Sequence, residues 1–289
     1  MRTFIPALLL TGFLAIQPAF SAEPDPADKW QYHLLNPTPR EFMRDLSADR
    51  PDFTESPYTV DAGHFQIEAD LFNYTRDRDR GGSRDVKFES FTVGSLNLKA
   101  GLLNNVDLQF IVDSYVHERV EDRVASTRDS ASGFGDVQTR LKINLWGNDE
   151  GTTAFGIMPF VKFPTAGSGL GNDSVEGGLI LPFAVGLPAG WDLGVMAEFD
   201  FLRDESGSGY HTEFVQTVAT GRDIAGNLGG YIEFISIVGS QSDSDWRALA
   251  GLGLVYGWTE NLVLDAGVNI GLTDAADDVN PFVGVTYRH

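Results

Sequence analysis

Few residues in this sequence are of the types that do chemistry. The histidines are His33, His64, His117, His211 and His289, and no two have the spacing that puts two ring nitrogens on one helix face. There is no cysteine to supply a thiolate or a disulfide. A serine hydrolase needs a base beside its nucleophile, and His211 with Ser206 or Ser208 is the single candidate couple. Asp274, Asp277 and Asp278 could offer oxygen ligands to a hard cation, but read more simply as solvated loop acids. Two Gly-rich stretches, Gly133-Phe134-Gly135 and Gly167 to Gly171, do not join a strand to a helix in a phosphate-binding setting. These residues imply no catalytic group, metal or cofactor, and the expectation is a protein that is not an enzyme.

A second set of polar residues is spaced with more regularity. Glu68, Asp70, Asp107, Gln109, Arg140, Lys142, Lys162, Glu198, Glu233 and Asp265 sit in short runs where every other residue is apolar. Phe65-Gln66-Ile67-Glu68-Ala69-Asp70-Leu71 is one such run, and Trp191 to Phe201 is another. A period of two puts one residue set on each face of a strand. The apolar sets carry no formal charge: Phe65, Ile67, Ala69 and Leu71; Val106, Leu108, Phe110 and Val112; Leu264, Ala266, Val268, Ile270 and Leu272. A Lys or Arg on a lipid-facing barrel surface costs about 2–4 kcal/mol at the midplane, which accounts for that absence. Trp146, Phe163, Trp191, Phe201, Trp246, Tyr256 and Tyr287 fall near run ends, where interfacial aromatics belong.

The elements that must position these residues are strands. We read about twelve of them, near 63–75, 86–101, 106–117, 134–146, 152–163, 175–187, 191–202, 210–220, 228–238, 246–256, 262–272 and 281–288. Short turns alternate with longer polar segments, among them Glu118 to Gly133 and Pro164 to Ser174. That rhythm predicts an all-β fold: a transmembrane antiparallel up-and-down β-barrel with short periplasmic turns and long outer loops. A soluble β-sandwich also alternates, but its connections need not alternate in length.

The first residues set the compartment. Arg2 and the apolar stretch from Phe4 to Phe20, then Ser21-Ala22, predict a signal peptide over residues 1–21. Residues 22–62 form an N-terminal segment rich in proline, expected at the periplasmic end or inside the pore as a plug, with a short helix over Pro39 to Ser47, and residues 63–289 form the barrel. The expected location is the bacterial outer membrane, with membrane lipid, lipopolysaccharide and the barrel-assembly machinery as partners. A formal charge of −20 argues against nucleic acid. The charged lumen set has two open readings. It could brace the wall and fill a narrow interior, or it could select a small-molecule solute.

Two segments carry more than barrel chemistry. Asp49-Arg50-Pro51-Asp52-Phe53-Thr54-Glu55-Ser56-Pro57-Tyr58-Thr59-Val60 runs into Gly63 to Glu68, and Leu264 to Asp278 continues to Phe282 to His289. Both resemble the outer-membrane transporter-like family labelled "putative MetA-pathway of phenol degradation". Phe134 to Val137, Arg140 to Lys142 and Phe160 to Pro164 are similar to its middle strands. The resemblance implies an outer-membrane barrel, and its label points to uptake of small aromatic or hydrophobic compounds. A non-conducting, plugged barrel and a barrel esterase or phospholipase are the competing functions. The family tends to end in an aromatic residue. This chain ends in His289, with Gly284 and Tyr287 still fitting a C-terminal assembly signal.

Overall fold

The computed structural model describes residues 28–80, 84–167, 169–204, 209–242 and 244–289. The expected signal peptide, Ser206 and Ser208 lie outside the described residues. The strands are β1 (Phe65–Asp79), β2 (Val86–Leu103), β3 (Val106–Asp122), β4 (Thr127–Gly133), β5 (Val137–Trp146), β6 (Thr153–Phe163), β7 (Glu176–Leu187), β8 (Trp191–Arg203), β9 (Tyr210–Ala225), β10 (Leu228–Gly239), β11 (Arg247–Thr259), β12 (Leu262–Gly271) and β13 (Val279–Arg288).

All strands but β4 close into one antiparallel ring. Each pairs with its sequence neighbours, β3 pairs with β5, and β13 pairs back onto β1. The result is a closed barrel of twelve strands with no unpaired edge, the form of sheet that lipid tolerates. Tight turns join the strands at the end where β1 starts and β13 finishes. There the His289 N–H donates to the Phe65 carbonyl at 2.9 Å. The apolar sets point outward: Phe65, Ile67, Phe110, Ile270 and Leu272 are exposed, whereas Gln66, Glu68, Asp107, Gln109 and Lys142 are buried inside. The girdle residues Trp146, Trp191, Tyr256, Tyr287, Phe163, Phe201 and Trp246 are exposed as well. Among the described residues no helix is long and apolar enough to cross a membrane. The strands make the crossing.

Two expectations are corrected. Glu118 to Gly133 is not a loop. β3 continues to Asp122, turns, and pairs Val116–Asp122 with β4, beyond the point where β5 leaves β3 at Val112. The Asp122 carboxylate accepts the N–H groups of Val124 and Ala125, each at 2.9 Å, and so shapes the turn. β4 is mostly exposed and carries a single apolar side chain, Ala131, so the alternation that marks the other strands is absent from it. The helix expected over Pro39 to Ser47 is also absent. A single 3₁₀ turn spans Arg40–Phe42, and Met43 is already extended. Arg44 N–H, which would continue the helix, donates instead to the Asp61 carboxylate at 3.0 Å.

Candidate functional site: the occupied lumen

The chain before β1 does not lie at the barrel mouth as a tail. It passes through the lumen, and the wall residues singled out from the sequence meet it there. A chain without regular structure must find partners for its own N–H groups, and the wall carboxylates supply them. Glu68 accepts the Asp49 N–H through both oxygens, at 3.1 and 3.2 Å. Glu233 accepts the N–H groups of Phe53 and Thr54, at 2.9 and 2.7 Å, and the Thr54 hydroxyl at 2.6 Å. Asp107 accepts the Val60 N–H at 3.0 Å. Three of the lumen-face acids thus serve as acceptors for the backbone of the threaded chain.

Side-chain ion pairs add to this. Asp49 bonds to both Lys99 and Lys142, and Lys99 also reaches Glu68. All four are buried. Gln109 donates to Asp107 at 3.0 Å and to Asp49 at 3.4 Å. Arg50 pairs with Asp70 on β1 and with Asp265 on β12. Arg140 pairs with Glu55, and Glu198 faces Arg140 beside Asp200. Lys162 is the exception. It pairs with Asp136 at 3.3 Å and with Glu176 at 2.5 Å, its register partner on β7, and so braces wall to wall.

Glycine appears on the wall where the threaded chain comes closest. A Cβ on Gly284 would overlap the Arg50 guanidinium, and one on Gly101 would overlap the Asp61 carbonyl. Gly284, expected in an assembly signal, thus faces inward beneath Arg50. Tyr287 is exposed on the lipid side. On the opposite arc an apolar patch lines the lumen: Met158, Ile180, Met196, Val215 and Ile235 form a buried cluster.

Among the cavities of the described residues, two lie one on each side of Pro51-Asp52. The outer one, about 420 Å³, is lined by Arg50, Phe53, Asn73, Leu249, Asn280 and Phe282. The inner one, about 400 Å³, lies toward the tight turns and is lined by Asp192, Arg222, Asn227, Tyr231 and Val255. Pro51 and Asp52 line both.

A family model described as "Putative MetA-pathway of phenol degradation" matches residues 48–289. The chain belongs to that family. The match begins at the threaded segment, just before the Asp49 and Arg50 pairs, and runs through the last strand. An outer membrane channel from Pseudomonas putida F1 superposes with a TM-score of 0.64 at 13% identity, covering 84% of this chain and 100% of that one. The translocator domain of the autotransporter NalP from Neisseria meningitidis gives a TM-score of 0.50 at 13% identity, covering 78% of this chain and 88% of that one. At such identities the likeness is one of fold, that of an outer-membrane barrel. Among curated proteins no match is found.

Sequence reasoning placed the wall residues and weighed the N-terminal segment as a plug, but did not name their partners in it. Asp49, Arg50, Thr54 and Glu55 hold the centre of the site. Their signal was present as a dense polar motif, Asp49 to Glu55, too short of apolar residues to be strand and too rich in acceptors and donors to be a slack tail. The one catalytic couple weighed from sequence is half visible: His211 Nδ1 lies 2.9 Å from Asp204 Oδ1, at an outer loop.

Proposed function

We propose that this barrel passes a small solute across the outer membrane, along a path interrupted by its own N-terminal segment. The carrying observation is the pair of cavities that flank Pro51-Asp52 and share those two residues as a partition. The outer cavity mixes Phe53, Leu249 and Phe282 with the amides of Asn73 and Asn280. That lining suits a small, partly apolar molecule with a hydrogen-bonding group. The family's description agrees with such a cargo, of which a phenol is one example. In this reading the protein is a passage and not a catalyst. Its partners are membrane lipid, lipopolysaccharide and the assembly machinery, and no cofactor takes part.

The purified full chain in planar bilayers tests this. Discrete ionic conductance steps, interrupted when phenol is added, are expected. Proteoliposomes should also swell in arabinose. Neither conductance nor swelling, in the wild type and in a variant with the Arg50 pairs removed, would overturn it. A second reading is a barrel held shut for structural purposes, favoured by the burial of Asp49 with two lysines. It expects silence from the wild type and conductance only when Asp49 or Arg50 is replaced.

A further inference from the structure

One row of the wall breaks the pattern of bulky inward side chains. At a single height on β10, β11, β12 and β13 the directly opposed residues are Tyr231, Gly253, Gly267 and Phe282. The two glycines leave a bare strip of backbone, and the Tyr231 ring lies across it. A Cβ on Gly253 would stand 2.5 Å from Tyr231 Cε1 and 2.8 Å from the Ala266 carbonyl oxygen. One on Gly267 would stand 2.9 Å from the Tyr231 hydroxyl and 2.6 Å from Phe282 Cζ. Neither glycine has a positive φ. Space requires them, not backbone conformation.

Tyr231 thus spans two strands to reach the edge of Phe282. Tyr231 lines the inner cavity and Phe282 the outer, so the two rings form the wall side of the partition whose axial side is Pro51-Asp52. The Tyr231 hydroxyl is buried with no hydrogen-bond partner among the described residues. A buried phenol usually has one. Contact with the glycine strip, not a hydrogen bond, sets where the ring rests.

Resting on the transport reading above, we propose that Tyr231 is the size-determining residue of the solute path. The Gly253–Gly267 strip holds its ring flat against the wall, and the gap left between ring and Pro51-Asp52 is the aperture. A ring swung off the strip narrows that gap.

Single-channel conductance and the size cut-off for swelling in graded sugars read the aperture directly. Tyr231→Ala should raise conductance about twofold and admit a larger sugar, since a ring is removed from the pore lining. Tyr231→Phe keeps the size and should match the wild type. Gly253→Ala should lower conductance by displacing the ring, and Gly253→Ala with Tyr231→Ala should return to the Tyr231→Ala value. Folded barrel in each variant is checked by its heat-dependent gel mobility. The proposal is overturned by Tyr231→Ala at the wild-type level, by Tyr231→Phe behaving as Tyr231→Ala, or by a double variant as closed as Gly253→Ala. If Gly253→Ala does not fold, the two Tyr231 variants still decide. If Arg50→Ala conducts while Tyr231→Ala matches the wild type, only this assignment falls. If no variant conducts, the transport reading falls with it.

Discussion

Arg50 and Asp265 stand 215 residues apart in the chain and meet in a two-point ion pair, Nη2 to Oδ1 at 2.7 Å and Nε to Oδ2 at 3.2 Å. The pair ties the threaded segment to β12, and Arg50 reaches β1 through Asp70 as well. A planar guanidinium suits this double role, because its fork matches one carboxylate while a further N–H serves another.

Replacing Arg50 by Ala leaves the Asp265 carboxyl, 1% exposed, without its partner. Breaking such a pair by removing one member costs about 3–5 kcal/mol. The cost should fall on docking of the segment, because the strand ladder does not involve Arg50. The expected outcome is faster protease cleavage within residues 28–60 while the barrel keeps its β circular dichroism. Arg50→Lys keeps the charge but loses the fork, and should fall between wild type and Ala.

Asp49 joins Lys99 and Lys142, but the two lysines are not equivalent. Lys99 retains Glu68 when Asp49 is lost, whereas Asp49 is the ion-pair partner found for Lys142 among the described residues. Asp49→Ala should therefore be relieved by Lys142→Met more than by Lys99→Met. A double-mutant cycle on thermal unfolding should return a coupling of about 1–3 kcal/mol for Asp49 with Lys142. Equal relief from either lysine change would count against the assignment.

The barrel was legible because lipid and lumen impose opposite chemistry on alternate residues. Phe65, Ile67, Glu68 and Lys142 all lie on the faces their spacing implied. The partners of the lumen charges were not legible, because pairs such as Thr54 with Glu233, 179 residues apart, leave no local periodicity. Bracing of wall by wall, an open alternative in the sequence, holds for Lys162 with Glu176 but not for Arg140, which turns to Glu55. The strand β4 was hidden for a related reason: Thr127 to Gly133 has one apolar side chain, Ala131, and so shows no apolar set. The helix at Pro39 failed because Asp61, a residue twenty-odd positions on, captures the N–H that the next turn would need.

At the tight-turn end, Asp149 gathers Lys29 at 2.8 Å, Arg44 at 3.2 Å and the Asn104 amide at 2.7 Å. Burial pushes its carboxyl up, but hydrogen bonds from Lys29 and Asn104 and the charges of Arg44 and Lys29 outweigh that, so its pKa lies below the usual 3.8. A lowered folded-state pKa stabilises docking above the unfolded value, and this is lost as pH falls through the folded one. Release of residues 29–44 should therefore begin below about pH 4, read by a fluorophore at the exposed position of Leu35. Asp149→Asn should dock more weakly at neutral pH and lose that acid dependence.

Gly284 and His289 separate two roles that the last strand could combine. Gly284 faces Arg50, whose guanidinium is pinned by two carboxylates and cannot swing freely aside. Gly284→Ala should loosen the threaded segment, as Arg50→Ala does, while leaving the amount of inserted barrel unchanged. His289 lies at the open end, its N–H on Phe65 and its carbonyl 3.1 Å from His64 Nδ1. Both contacts involve the His289 backbone, so His289→Phe preserves them and changes only the terminal ring. It should raise the yield of inserted barrel with no effect on segment docking. Folded fraction in outer-membrane extracts measures the first quantity and protease cleavage within residues 28–60 the second. A loss of insertion in Gly284→Ala with docking intact would instead place Gly284 in the assembly signal.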